Sequence, residues 1–318
     1  MAADIRRIHH VGHLVTDMAA TLERYRRMGF EFAAPAYPMV SPADGEPPRF
    51  LGATNTHLSF PDNFVELATV VPDGASPPAD AKLVHLQIAP DALPRVLETA
   101  RRTVATLTAS LARFQGLHIL VFESGSITAS ALRLDQEGVR HSGTNLVQRK
   151  LDALDGESVV PVHFLELDGE RIIEGRLAIA ENPTAEILKR QRHLKHPNGA
   201  FELIECVLCV ADTELEAFAV RYSRYIGRQA RSDGSLRIFD LGTNRVVIAP
   251  AAALDGLFPG ERACQLPAFV AYTVAVHDLA STEGLLGANG VPHSRRNASE
   301  VFVPSTWALG AAVAFRQG

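Results

Sequence analysis

Four side chains able to bind a metal or move a proton sit where the sequence otherwise asks for buried strands. His10 lies in IHHVGHLV, Glu66 in FVEL, His118 in GLHILVF and Glu166 in HFLEL. A carboxylate flanked by Phe64, Val65 and Leu67 is costly to bury without a partner. A divalent cation held by two imidazoles and two carboxylates would remove that cost for all four at once. The spacing pairs them, with 56 residues from His10 to Glu66 and 48 from His118 to Glu166. Such ligands suit Ni, Zn, Co, Mn or Fe(II), with positions left open for water or substrate. Each also has a plainer reading: a hydrogen-bonded strand histidine, or a glutamate paired with an arginine across a sheet. Strand alternation puts His10 on the face opposite both His9 and His13.

Elements must hold these groups, and the chain repeats its elements four times. Each copy reads as an apolar strand, a polar turn, an amphipathic helix, a glycine and further strands. Copy one runs from Ile8–Val15 through Asp17 to a helix bearing Met18, Leu22 and Tyr25, then Gly29. Copy two runs from Gly116–Phe122 through Ser124-Gly125-Ser126 to Ile127, Ala131 and Leu134, then Gly138. Copy three has Leu203–Val210, Asp212, a helix with Leu215, Phe218 and Tyr222, then Gly227. Copy four has Phe269–Val276, Asp278, a short helix and Gly290. Turn to glycine takes twelve residues in copies one and four, and fifteen in copy three. The predicted fold class is α+β, built from four βαβββ modules.

Residues 73–115 read as a connector with an apparent strand (LVHLQI) and a helical stretch. A basic helix and the breaker HPNGA over 183–200 mark the boundary between halves. The expected domains are 1–199, with modules one and two and the candidate site, and 200–318, with modules three and four.

Register decides the second histidine. If Ser126 is the turn residue of copy two, the ligand position falls on Ile119; a thirteen-residue register from Gly125 restores His118. A one-residue slip exchanges the two faces of a strand. Should His118 face away, His10, Glu66 and Glu166 remain, with His57 as substitute. In the second half, seven residues before Asp212 and Asp278 stand Glu205 and Ala271, and RVVIAP and ALGAAVAF offer no carboxylate. Modules three and four therefore read as a degenerate pair without a metal.

Paired βαβββ units resemble the vicinal oxygen chelate superfamily. The pattern I-x-H-x4-V-x-D from Ile8 to Asp17, the run GATNTHLSFPDNFVEL and HPNGA are similar to its glyoxalase-like domain family. The resemblance implies two half-barrel domains of glyoxalase/bleomycin-resistance/extradiol-dioxygenase type, each pairing two modules around a cleft. It implies ligands from the first and last strands of each module, hence His10, Glu66, His118 and Glu166 about one divalent metal ion. The activity implied is an isomerase or lyase that chelates vicinal oxygens of a small substrate, with Glu66 or Glu166 shuttling the proton. One alternative is an Fe(II) ring-cleaving dioxygenase using His10, His118 and one glutamate. Another is a binding protein that sequesters a small molecule without catalysis.

Composition narrows the partners. The 318 residues are 47% hydrophobic and 21% charged, enough for full cores. Lys plus Arg number 31 against 36 Asp plus Glu, a net charge of −5 that argues against nucleic acid. The basic run Lys189, Arg190, Arg192 and Lys195 reads as one solvated face. The start has no secretory pattern, and Trp307–Phe315 is too short for a membrane span. Three cysteines, Cys206, Cys209 and Cys264, fit a cytoplasmic protein better than a disulfide framework. No nucleophile elbow, P-loop or dinucleotide fingerprint is present. A small-molecule substrate is the expected partner, and a homodimer is a compatible assembly.

Overall fold

The structure, a computed structural model, describes residues 4–41, 46–72, 74–75, 77–78, 81–154, 156–167 and 172–318. Module one comprises β1 (Ile5–Leu14), α1 (Met18–Arg27), β2 (Ala36–Val40), β3 (Arg49–Phe50), β4 (Ala53–Ser59) and β5 (Phe64–Val70). The connector contributes β6 (Lys82–His85) and α2 (Leu93–Arg113). Module two comprises β7 (Gly116–Ser124), α3 (Ile127–Gln136), β8 (Asn145–Ala153), β9 (Gly156–Glu166) and β10 (Arg176–Glu181), followed by α4 (Ala185–Leu188). Module three comprises β11 (Ala200–Val210), α5 (Leu215–Ile226), β12 (Arg231–Asp233), β13 (Leu236–Leu241) and β14 (Asn244–Pro250), followed by α6 (Leu254–Leu257). Module four comprises β15 (Ala268–Val276), α7 (Leu279–Ala288), β16 (Ser294–Asn297), β17 (Glu300–Val303) and β18 (Ala312–Gln317).

Three of the helices, α1, α3 and α7, start where a side chain satisfies a free backbone N–H. Asp17 accepts from Ala20, Ser126 from Ala129 and Asp278 from Ser281. Ser126 is thus the turn residue of module two, which selects its twelve-residue register. In module three a 3-10 turn over Asp212–Glu214 precedes α5, and these three extra residues account for the longer spacing there. One expectation changes: the basic stretch after Pro183 forms only the single turn α4. The connector's helical stretch is present as one continuous 21-residue helix.

In every module the last strand lies parallel beside the first. The first paired positions are His10 with Phe64, Ile119 with Arg176, Glu205 with Arg245 and Ala271 with Ala312. The first strands of paired modules run antiparallel, β1 against β7 and β11 against β15. Two curled sheets result. The first has the order β8-β9-β10-β7-β1-β5-β4-β2, and the second β12-β13-β14-β11-β15-β18-β17-β16. Among the described residues a single pairing, Phe269 with Leu117, joins them. The strand carrying Glu166 is therefore the third of its module, and β10 is the last.

One apolar core contains residues of all four modules, with Tyr25, Leu120, Tyr222 and Tyr272 among its buried side chains. Each concave face has a cluster of its own. On the first sheet, Ile119, Val121, Val162, Ala178 and Ala180 pack with Leu107 of α2 and Leu188 of α4. On the second, Val207, Val247, Phe302 and Ala314 pack with Leu254 and Phe258 around α6. No helix among the described residues is long and apolar enough to cross a membrane.

Candidate functional site

The concave face of the first sheet holds a cleft of about 350 Å³. Val121, Val162, Phe164, Ala178 and Ala180 give it apolar walls, while His9, His10, His57, Glu66, Arg149 and Arg176 supply its chemistry. Apolar walls with a few converging polar groups are the usual make-up of a small-molecule site. His10 comes from the first strand of module one and Glu66 from the last. His57, on β4, is directly opposite Glu66 in the antiparallel register. His9 reaches the same cleft because β1 bulges against β7 between Ile8 and His10. Strict alternation would have turned it away; the bulge corrects that expectation. His13 does lie on the other side, buried between the Tyr25 hydroxyl and the Leu309 carbonyl at 2.8 Å each.

Hydrogen-bond direction fixes where the protons sit on the histidine pair. Asn182 Nδ2 donates to Glu123 Oε2 at 2.7 Å, which makes its Oδ1 an acceptor. His9 Nε2, 2.7 Å from that oxygen, must then carry a proton. Burial, with the Arg149 charge adding to it, pulls His9 down to about 3, so its other nitrogen is bare. His10 Nδ1, 2.7 Å away, donates to it. Burial first, then the neighbouring His9 and His57, also holds His10 well below the usual imidazole range. A neutral His10 therefore presents a lone pair on Nε2, 3.9 Å from Glu66 Oε2. Asn55 Nδ2 donates to the other Glu66 oxygen at 2.6 Å, and Phe64 stacks on the His10 ring at 4.4 Å. Two acceptors thus converge with no donor of the described residues between them. Such an arrangement suits an acidic hydrogen of a bound molecule.

His118 and Glu166 are not brought to this pair. Ile119 stands seven residues before the Ser126 cap, as His10 stands before Asp17. Its side chain packs over Gly12, where an added Cβ would come within 2.6 Å of it. His118 points to the opposite face, its Nε2 on the Phe114 carbonyl at 2.8 Å and its Nδ1 without a partner among the described residues. The counterpart of Glu66 in module two is Ala178, two residues beyond the first paired position. Glu166 is opposite Ala178, as His57 is opposite Glu66, so it corresponds to His57. At the rim, Arg176 holds both its oxygens, at 2.7 and 3.3 Å. Among the described residues no three imidazole, thiolate or carboxylate groups converge as the ligands of a cation would. The expected four-ligand set is half built, and as folded these donors do not complete a metal site. Asn182 and Glu123 carry no motif in the sequence and become legible only through long-range strand pairing.

The second concave face is filled. Phe258 and Phe302 occupy its apolar part, edge to face at 5.5 Å. At the position matching His10, the buried Glu205 meets Arg316 at 2.9 Å and Arg296 at 3.3 Å, with Arg245 also paired to it. Glu300 closes the cluster on Arg296 at 3.0 Å and on Arg316. Burial alone would raise the Glu205 carboxyl, but Arg245, Arg316 and Arg296 overcome that and hold it at about 2.

Known proteins show the same architecture. A hypothetical protein from Staphylococcus aureus superposes with a TM-score of 0.59 at 12% identity, covering 98% of this chain and 99% of that one. A mutant 4-hydroxymandelate synthase from Streptomyces coelicolor gives 0.54 at 13% identity over 99% and 94%. A Mn(II)-bound glyoxalase from Novosphingobium aromaticivorans gives 0.55 at 9% identity over 99% and 83%. No curated protein sequence matches. The model of the family described as glyoxalase-like domain matches residues 8–226, more than half the sequence. On that match and on its four-module fold, the chain belongs to the glyoxalase-like domain family of the vicinal oxygen chelate superfamily.

Proposed function

We propose that this protein is a glyoxalase-like enzyme of isomerase or lyase type, moving a proton on a small oxygen-bearing substrate in the cleft of the first module pair. The reading rests on one observation above all, the lone pair of His10 Nε2 facing Glu66 Oε2 at 3.9 Å. A hydrogen made acidic by an adjacent carbonyl, bound between them, meets a neutral imidazole able to accept it. The imidazolium formed is then next to a carboxylate, which stabilises it and lowers the barrier. Glu66 can take the proton on and return it to a neighbouring atom. Glu166, committed to Arg176, has no part in this step.

The test is solvent deuterium exchange into a panel of small α-hydroxy and α-oxo carbonyl compounds, followed by NMR. Exchange in the wild type should fall by about 100-fold or more in His10→Ala and in Glu66→Gln. Wild-type protein inert across the panel, or variants that exchange as fast, would overturn the reading.

A metal-assisted form is the second reading. It is favoured by the convergence of His10 and Glu66 and by the structural likeness to a Mn(II)-bound glyoxalase. It requires a third donor, and His57 on the same wall is the nearest candidate in kind. Titration with Mn(II), Fe(II), Ni(II), Co(II) and Zn(II) decides it: saturable binding lost in His57→Ala supports this form, and no binding removes it.

A further inference from the structure

We propose that the molecule taken by this cleft is a monocarboxylate with an apolar body, and that Arg149 is the residue that holds its carboxylate. The inference rests on the reading of this cleft as the working site and extends it from proton transfer to the kind of substrate.

Arg149 projects from β8 into the cleft, its guanidinium carbon 4.3 Å over the Phe64 ring. Several other half-buried arginines close onto carboxylates: Arg133 on Asp4, Arg296 and Arg316 on Glu300. Arg149 has no ion pair and no hydrogen bond with any described residue, and Glu66 is the one carboxylate near enough to favour its charge. Burial pushes the guanidinium down to about 10, an unusual depression for arginine. A half-buried cation with no carboxylate bonded to it is less stable than a paired one. An incoming anion relieves that cost, so the site is poised for one.

The geometry of the group selects the anion. A guanidinium offers parallel N–H donors that match the two oxygens of a carboxylate. One unpaired arginine balances one negative charge, and Glu66 in the same cleft disfavours a second, which argues against a phosphate dianion. The remaining walls choose the body. Val121, Val162, Ala178 and Ala180 offer it no hydrogen bond, and the two alanines leave room where longer side chains would fill the cleft. A volume of about 350 Å³ is at the small end of ligand sites, which fits an aryl or short branched acid.

The experiment is calorimetric titration of the full chain with benzoate and phenylacetate, against their neutral amides and inorganic phosphate. The acids should bind at least tenfold more tightly than the amides, with phosphate weaker than either acid. Arg149→Met should erase the preference for acid over amide, and Arg149→Lys should keep part of it. Arg149→Met should melt no lower than wild type, since it removes an unpaired inward charge; this confirms that any loss is not misfolding. Amides binding as well as acids, phosphate outcompeting them, binding of neither, or an unchanged preference in Arg149→Met would each overturn the proposal. Glu66→Gln separates the two readings. If acids bind through Arg149 while no exchange is seen, the proton-transfer reading falls and this one stands. If exchange depends on Glu66 but acids gain nothing from Arg149, the reverse holds.

Discussion

His9 and His10 face one another through their Nδ1 atoms at 2.7 Å, a contact that one proton must bridge. The direction of that bridge is set 173 residues away in sequence, where Asn182 offers its oxygen to His9. The orientation of a base is therefore imposed from outside the cleft, as outer hydrogen bonds commonly fix imidazole tautomers. Asn182→Leu removes that control. Long-range nitrogen–proton NMR should show a bare Nε2 on His10 in wild type and a mixture of tautomers in the variant. Proton exchange should fall about 10- to 100-fold, while Asn182→Asp, which keeps an acceptor, should lose less. An unchanged imidazole spectrum would sink the assignment.

Ile119 and Ala178 hold the places in module two that His10 and Glu66 hold in module one. Ile119→His combined with Ala178→Glu should therefore build the missing half of a cation site. Mn(II) affinity, read by calorimetry, should rise by about 100-fold or more over wild type. The graft carries a packing cost, because Ile119 rests on Gly12, and a modestly lower melting temperature should accompany it. No gain in affinity would mean that the two positions do not face the first pair.

The fold should be acid-sensitive. Burial holds His13 at about 4 despite its bond to the Leu309 carbonyl, and His196 at about 4 despite its bond to the Ser59 carbonyl. Unfolded, each takes up a proton near 6.5; folded, each resists until about 4. Stability is thus complete above 6.5 and lost as pH falls towards 4, at about 1.4 kcal/mol per pH unit for each histidine. Urea titrations at pH 7, 6 and 5 should show a slope steeper than these two rings alone give, because His9, His10 and His57 also resist protonation when folded, and His196→Phe should reduce it. A flat profile would contradict the burial of both rings.

Glu205 anchors the second sheet. With Arg245, Arg296 and Arg316 against it, its carboxyl stays ionised down to about 2. Glu205→Gln removes the carboxylate that three guanidiniums share, leaving Glu300 to Arg296 and Arg316, and should destabilise the chain by about 3 kcal/mol or more in chemical denaturation. Ligand binding in the first cleft, assayed below the melting range, should be unaffected.

Much of the architecture was legible because it repeats. Asp17 and Asp278 as caps and Gly29 and Gly290 as stops mark each unit locally. Gly227 closes α5 in the left-handed conformation, φ 73°, that favours glycine. His10 and Glu66 stood out because charge on an apolar strand is costly wherever it occurs. What stayed hidden depends on events that local pattern does not encode. The choice between His118 and Ile119 turned on whether Gly125 or Ser126 is the turn residue before α3, and the two are adjacent. Glu166 passed for part of a last strand because the true one, Arg176–Glu181, begins only ten residues later. The bulge at His9 follows from how β1 meets β7, and Arg149 reaches its neighbours only when β8 folds over the cleft.

Phe258, Phe302 and the arginine cluster pack the second concavity solid. The second concavity accordingly has no berth to match the cleft of the first, and a benzoate titration carried to saturation should level off at one equivalent per chain, not two.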